Sequence, residues 1–552
     1  MNSKARMLPL ALLIPTVMAA DAPPSVAVDG VVRVNQAGYL PGQTNMVFPQ
    51  FAGKLELIDV VSGKTVAQLK AEQANQPLQL PTSLPSGWYQ LQSEQQRSVV
   101  FEVSDSVLDT TLETMLRAYR YQHAGKPIRD PHSGVQRPPA HLQDGVIAHD
   151  DPFHQAGDSI DGSGGWYDAG DYGKYIATTA ITAARLMDAA GDKQQGPEQS
   201  PLLQEALVGL NWMTQMQRQD GAFYRKIGAK KWPDLVPPHL DRQTRYVYGV
   251  ATPDTAKAVA ALAQAARIYQ DWDQQRAAEF LEHAEQGWKW LEQQPVQAIN
   301  WHPGDDGGSG PYMYNKWDTQ ASLQHDEDDR FWAAAELYLT TLKPQYLSYA
   351  VAHMPASVGI YEWKDPSVLG MWHLLLSGNV DALSDQIQLK FESHCQLLRN
   401  NAYNSEFQVS NQRFIWGSNK MVAEEGILFG YCYRLTQNRE YLQLAWSQWN
   451  YLFGVNPFNL SYVTGIGQNA VQNLHHIWGR AVNFVPPGMM VGGPNQDAQA
   501  GFAPKAQGMR SYIDEAKDYS VNEFAIDYNA SAIGLAALLA NPDAVQLAAA
   551  QR

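Results

Sequence analysis

Two carboxylates three residues apart, Asp168 and Asp171, sit among glycines and aromatics in Gly164-Gly165-Trp166-Tyr167-Asp168-Ala169-Gly170-Asp171-Tyr172-Gly173-Lys174-Tyr175. The apolar-periodic run Tyr175–Ala190 follows directly. Read as a helix, that run puts both acids near its N-terminus, where the positive end of the macrodipole favours their ionised forms. Ionised carboxylates in an aromatic setting suit a general base that activates water for attack on a sugar. A pair of acidic N-cap residues closing a loop is the competing reading. Far downstream, Tyr519-Ser520-Val521-Asn522-Glu523-Phe524-Ala525-Ile526-Asp527-Tyr528-Asn529-Ala530 offers a lone glutamate, Glu523, as the acid partner. Tyr519, Phe524 and Tyr528 and the apolar helix that follows make a setting that raises a carboxyl pKa and keeps it protonated. A glutamate that merely satisfies a helix N-terminus is the plainer alternative.

The elements that must position these residues are mostly helical. Helical spacing runs through Leu108–His123, Tyr175–Ala190, Leu202–Met216, Asp254–Trp272, Gln274–Leu291 and Asp329–Thr341. It continues through Lys343–His353, Ser367–Leu376, Val380–Arg399, Lys420–Thr436, Arg439–Phe453 and Ile526–Leu539. The segments between, Gly125–Gly173, Gly221–Pro253, Gln294–Asp328, Asn400–Asn419 and Gly454–Ala525, are too long for simple connectors. Long loops rich in Gly, Trp and Tyr on a helical scaffold are where a cleft is expected. Ahead of the helices, Val31–Val103 reads as short strands punctuated by Pro41-Gly42, Ser62-Gly63 and Pro85-Ser86-Gly87, the pattern of a small β-sandwich. Residues 1–19 join Lys4 and Arg6 to the apolar run Met7–Met18 and a small-residue exit, a secretory signal peptide cleaved after Ala19. The protein is therefore expected to be exported, periplasmic or secreted, with no membrane span because the apolar run is too short.

A chain of 552 residues with 45% hydrophobic and 18% charged residues is globular, and a net charge of −15 argues against a nucleic-acid partner. The two cysteines, Cys395 and Cys432, either pair or remain buried thiols, and two cysteines do not make a zinc site.

The stretches Trp-Tyr-Asp-Ala-Gly-Asp-Tyr (166–172), Ser461–His476 and Tyr512–Ala530 together resemble the signatures of glycoside hydrolase family 9, the inverting cellulase family. Tyr512, Asp514, Tyr519, Glu523, Ala525, Asn529 and Ala530 fall on the family spacing, and the resemblance runs over nearly the whole chain after the leader. It implies a mainly α fold, an (α/α)6 toroid over residues 105–545, preceded by a small all-β immunoglobulin-like sandwich over residues 30–104. Val32–Pro41 resembles the start of that sandwich in one branch of the family. Its functional reading is sugar binding; a packing module that stabilises the catalytic domain is the reading preferred.

The resemblance further implies that Asp171 is the base, Asp168 helps it hold one water and Glu523 is the acid. His475 matches the subsite histidine that donates a hydrogen bond to the sugar. Trp416, in Trp416-Gly417-Ser418-Asn419, and Tyr528 are the candidate stacking platforms. Trp166, Trp232, Trp301, Trp317 and Trp478 are further loop tryptophans with core packing as the alternative. Asp527 and Asp514 are expected to bond loop backbone. The family pattern is His, any residue, Arg, whereas this chain has His475-His476-Ile477, and an apolar Ile477 cannot replace guanidinium contacts. Arg480, one helical turn on, is placed to restore the charge if the loop is rearranged.

The acidic stretch His325–Arg330 lies where some relatives bind calcium; its oxygen ligands fit that ion, and a solvated helix N-terminus explains it as well. No metal site is assigned and no cofactor is required. The activity implied is an endo-β-1,4-glucanase cleaving cellulose-like polysaccharide, acting as a monomer on a polysaccharide or oligosaccharide. An exo-acting enzyme on cello-oligosaccharides or chitosan oligomers is the alternative, and a carbohydrate-binding protein without catalysis is a third reading.

Overall fold

A computed structural model of the chain describes residues 31–94, 96–191, 196, 198–310, 325–378 and 380–544. The expected leader (1–19) and Trp317 lie outside the described residues. Seven short strands come first: β1 (Val32–Arg33), β2 (Met46–Pro49), β3 (Gly53–Asp59), β4 (Thr65–Ala71), β5 (Leu78–Gln79), β6 (Gly87–Gln92) and β7 (Phe101–Val103). They pair into two sheets, β1-β2-β5 and β4-β3-β6-β7. Alternation along the strands turns Leu55, Leu57, Tyr89, Leu91 and Phe101 into a core shared with Val32, Val34 and Val47. This all-β region fits an immunoglobulin-like sandwich.

The helices follow as α1 (Val107–Gln122), α2 (Ile176–Ala189), α3 (Pro201–Gln215), α4 (Thr252–Tyr269), α5 (Gln274–Glu292), α6 (Glu327–Thr341) and α7 (Pro344–Ala352). Then come α8 (Ser367–Ser377), α9 (Asp381–Tyr403), α10 (Ser418–Thr436), α11 (Arg439–Leu452), α12 (Ile477–Val482), α13 (Tyr519–Asn522) and α14 (Ile526–Ala540). Each of the twelve stretches of helical spacing has its counterpart within a few residues of the expected ends, α12 and α13 being short additions.

Inner and outer helices are distinguishable by composition. α4 is apolar or small nearly all round and buried all round; α5 buries one stripe, Ala277, Phe280, Ala284, Trp288 and Leu291, at helical spacing. The inner helices α2, α4, α6 and α8 pack in sequence, and α10, α14 and α2 continue the ring; the outer helices α1, α3, α5, α7, α9 and α11 lie against their partners, α1 on α14, giving an (α/α)6 toroid. α10 meets α14 closely because a Cβ on Gly426 or Gly430 would lie 2.7 Å or 2.2 Å from Leu535 and Leu538. Stacking of Trp372 on Tyr431, 3.9 Å between centroids, joins α8 to α10.

A buried charge network crosses the ring: Arg185 of α2 pairs with Glu424 of α10 at 2.7 Å, Arg267 of α4 with Glu336 of α6 at 2.6 Å, and His373 of α8 with Glu336 at 2.6 Å and Asp188 at 3.3 Å. Cys395 of α9 and Cys432 of α10 form a disulfide, which decides between the two states left open by the sequence.

The long segments hold structure that helical spacing did not reveal. β12 (Tyr224–Ala229) and β13 (Arg245–Val250) form a hairpin, flanked by β10 (Val146–Ile147) and β11 (Lys174–Tyr175). β8 (Ile128–Arg129) and β9 (Gln136–Arg137) pair separately. β12 escaped notice because Arg225 and Lys226 make it look solvated. Both are buried, held by Asp305 and Asp306 at 2.8 Å each.

The sandwich sits on the C-terminal half of the ring. Buried Arg33 donates to the Asn456 carbonyl at 2.5 Å, Asn35 to Asn450 at 2.9 Å and Gln36 to the Asn459 carbonyl at 2.9 Å.

Candidate active site

The loop carrying Asp168 and Asp171 is fixed from three sides. Tyr167 N–H donates to the Gln122 carbonyl at the end of α1 at 2.8 Å, and Asp168 N–H closes a turn on the Gly173 carbonyl at 2.8 Å. The Asp168 carbonyl accepts from Ile526 N–H at the start of α14, 2.9 Å. Behind the loop, buried Lys174 donates to the Gly162 and Gly164 carbonyls at 2.6 and 3.0 Å and pairs with Asp144 at 2.7 Å, which also holds Arg245 at 2.7 Å. β11 separates the aspartates from α2, whose N-cap is Tyr175. Neither acid therefore caps that helix, and the competing reading of an N-cap pair fails.

Two further segments converge on the same loop. His475 pairs as an isolated bridge with Glu523, its N–H donating to the Asn522 carbonyl at 2.8 Å. Glu523 Oε1 accepts from Gly170 N–H at 3.1 Å, so the glutamate is tied to the backbone between the two aspartates. Ile477 N–H donates to the Gly170 carbonyl at 2.8 Å. A Cβ on Gly170 would stand 2.4 Å from the His475 carbonyl and 2.9 Å from Glu523 Oε1, so only glycine lets three chain segments meet there.

Beneath this junction, Gln122 Nε2 donates to the Ala169 carbonyl at 2.6 Å, while its Oε1 lies 2.9 Å from His476 Nε2. That oxygen only accepts, so His476 carries its proton on Nε2, and Nδ1 accepts from Gly479 N–H at 3.0 Å. Burial pushes His476 down to about 3 and keeps it neutral. Gln122 and His476 were not singled out from the sequence; the His-His doublet was their one visible signal.

Electrostatics separate the acids. Burial first, and the nearby Asp171 charge second, push the Glu523 carboxyl well above its ordinary range. This is the protonated state expected of it from its aromatic surroundings. For the aspartates the outcome differs from the ionised pair anticipated. Burial raises Asp168 to about 8, with Asp527 and Asp171 adding to the shift while a hydrogen bond from Thr178 opposes it. Burial also raises Asp171, opposed by the Gly173 N–H at 2.8 Å and the charges of Arg245 and Lys226. Without a helix N-terminus at the loop, desolvation outweighs these local donors. Asp514 accepts from Gln472 and Asn473 N–H at 2.9 and 3.0 Å, the loop-bonding role expected of it. Asp527 likewise accepts from backbone N–H groups, its own and that of Tyr528, and also lies 3.7 Å from Lys420 and faces Asp168.

Aromatic side chains border the acids. The Trp416 ring tilts against Tyr519 at 5.7 Å, and the Tyr528 hydroxyl accepts from the Trp416 indole. Tyr519, 39% exposed, meets the His475 ring edge-on at 6.0 Å. His475 Nδ1 lies 2.8 Å from the Ala516 carbonyl and so donates to it. Burial, joined by the Arg480 charge, lowers the His475 pKa, and the neutral ring presents Nε2 as an acceptor instead of the donor anticipated. Arg480, on α12, thus brings a positive charge near His475. Of the loop tryptophans, Trp166 and Trp478 are buried, whereas Trp232 is exposed.

In the acidic stretch, Asp329 pairs with Lys257 at 2.5 Å and Asp326 with Arg330 at 3.0 Å. Among the described residues no group of three or more His, Cys, Asp or Glu side chains is arranged to hold a metal ion. No helix among them is long and apolar enough to cross a membrane.

Residues 109–536 match the family model for glycosyl hydrolase family 9. The chain is 28% identical over 561 residues to a xyloglucan-specific endo-β-1,4-glucanase of Bacteroides ovatus, covering 93% of this chain and 94% of that protein. It is 28% identical to a cellulose 1,4-β-cellobiosidase of Acetivibrio thermocellus, covering 90% of this chain and 66% of that protein. The crystal structure of a metagenome-derived glycoside hydrolase family 9 endoglucanase superposes with a TM-score of 0.85 at 34% identity, over 92% of this chain and 98% of that one.

Proposed function

The chain belongs to glycosyl hydrolase family 9, and on that premise we propose that it is an endo-acting β-1,4-glucanase that hydrolyses its substrate with inversion. The observation that carries the reading is the Glu523–Gly170 hydrogen bond, which ties a protonated carboxyl to the backbone between two aspartates. In this reading Asp171, ionised in the productive state, removes a proton from one water, and Asp168 orients that water. The water oxygen attacks the anomeric carbon from the face opposite the leaving group. Glu523 gives its proton to the departing glycosidic oxygen as the C–O bond breaks, so the two protons are exchanged on opposite faces. His475 Nε2 accepts a hydrogen bond from a sugar hydroxyl, and Trp416, with Tyr528 buttressing it, presents an apolar face to the ring. Ile477 leaves bidentate hydroxyl recognition to another group, for which Arg480 is the nearby cation.

Residues 1–19 are read as an export signal, placing the enzyme in the periplasm or outside the cell. The sandwich is read as a module that stabilises the ring through Arg33, Asn35 and Gln36. Product profiles on carboxymethyl-cellulose, xyloglucan, cello-oligosaccharides and chitosan oligomers test the substrate. A rapid fall in polymer viscosity supports endo action; release of one short product with viscosity maintained would favour the exo alternative.

A further inference from the structure

The sandwich is joined to the ring through Arg33, Asn35 and Gln36 beside β1, and through Val100 N–H, which donates to Gln468 at 3.1 Å at the β7 edge, whereas Trp88 lies on β6 of the sheet β4-β3-β6-β7. Tyr89 and Leu91 of β6 point inward, so Trp88 and Gln90 point outward. Trp88 is 49% exposed on this face, and Val60, whose N–H donates to the Trp88 carbonyl at 2.9 Å, is 43% exposed beside it. The amides of Gln90, whose Nε2 donates to the Ser98 carbonyl at 2.7 Å and leaves Oε1 facing outward, and of Gln92 follow Trp88 along β6 at two-residue steps of about 7 Å. Lys70 pairs with Glu72 at 2.9 Å, and Lys54 lies beside Glu56 and Glu102 on the neighbouring strands, so the face carries charges of both signs with only a slight negative excess in a chain of net charge −15. That balance suits neither a polyanion nor a polycation. An exposed ring, neighbouring amides and little net charge fit an uncharged polyhydroxylated chain, whose C–H surface stacks on indole and whose hydroxyls pair with amides.

We propose that this face, centred on Trp88, binds β-1,4-linked glucan as a second contact remote from the catalytic cleft, an assignment that rests on the substrate reading above. The buried bonds between sandwich and ring hold the two contacts in one body. A polymer bound at Trp88 is therefore kept at raised effective concentration near the acids, while a short oligosaccharide gains nothing.

Full-length wild type, Trp88→Ala and Trp88→Tyr are compared by affinity electrophoresis in gels containing soluble β-1,4-glucan and by depletion onto insoluble cellulose. Cello-oligosaccharide hydrolysis, thermal melting and sedimentation are measured in parallel. Trp88→Ala should bind polymer about tenfold more weakly. Its melting and its kcat/KM on oligosaccharides should stay unchanged, and Trp88→Tyr should keep most of the affinity. Wild-type retardation by Trp88→Ala overturns the assignment. So does a change from dimer to monomer in that variant, which would make a second copy of the chain the occupant. Wild-type protein that cleaves no β-1,4-linked oligosaccharide defeats the substrate reading instead, a result separate from the retardation measurement.

Discussion

Glu523→Gln keeps the shape of the side chain and its bond from Gly170 but removes the proton that the leaving oxygen requires. Hydrolysis of an unactivated oligosaccharide should fall by about 10²–10⁴-fold or more, with KM little changed. Near-normal turnover would remove Glu523 from the role of acid. Asp171→Ala should damage kcat more than Asp168→Ala, and added azide should rescue it by giving an α-glycosyl azide from a β-linked substrate. The titrations of these groups are coupled, because the Asp171 charge helps keep Glu523 protonated. Deleting Asp171 lowers the Glu523 pKa, so the alkaline limb of the azide-rescued activity should move to lower pH than the wild-type limb. An unmoved limb would show that Asp171 does not act on Glu523. A product of retained configuration, seen by proton NMR before mutarotation, would end the inverting mechanism.

Between residue and fold stand the elements that aim these side chains, and here the buried Gln122–His476 pair is decisive. It ties the end of α1 to the Asp168 loop and to α12 without touching the acids. Gln122→Leu should let the Ala169–Gly170 backbone shift, and a displacement near 1 Å costs about 10²-fold in rate. The expected signature is a lowered kcat with KM and the pH limbs largely retained; a variant at full kcat would make the pair a packing contact only. The sequence made the helices legible because their burial follows a 3.6-residue period, and α4 and α5 differ in composition as inner and outer helices must. The segments that meet at Gly170 stood out as motifs because aromatic, glycine-rich stretches are compact in sequence. β12 was not, since buried Arg225 and Lys226 look like solvated residues until Asp305 and Asp306, some eighty positions away, are brought beside them. The upward shift of the Asp168 and Asp171 pKa values was not legible for a related reason. Local sequence gives the neighbours along the chain, whereas desolvation depends on everything folded around them.

At the scale of the whole molecule, stability is pinned by charges buried across the ring and by one covalent link. His373 lies between Glu336 and Asp188, and these acids hold it up at about 9 against an ordinary value of 6.5. A raised folded pKa stabilises fully below the unfolded value and is lost as pH climbs through the folded one. Melting temperature should therefore decline between about pH 6.5 and 9 in wild type. His373→Gln should flatten that decline, and an unchanged slope would assign it to other groups. The Cys395–Cys432 link closes a segment with a sequence separation of 37, worth about 4 kcal/mol by loop entropy. The double serine variant should melt several degrees lower with unchanged kcat. Removing residues 31–103 should likewise lower melting, because Arg33, Asn35 and Gln36 leave their partners in the ring exposed.

Gly170 and Glu523, which share one hydrogen bond, stand 353 positions apart, and Tyr119 of α1 donates to the Ile526 carbonyl 407 positions on. During synthesis the aspartate loop has left the ribosome long before its glutamate has been translated. Until α14 docks between α2 and α10, the nascent chain holds an incomplete ring with apolar helix faces bare to solvent, the species that chaperones receive. Catalytic competence arrives in one late step, so a chain stalled or truncated ahead of residue 523 is inert toward polysaccharide and depends on holdase protection, however much of its upstream structure has formed.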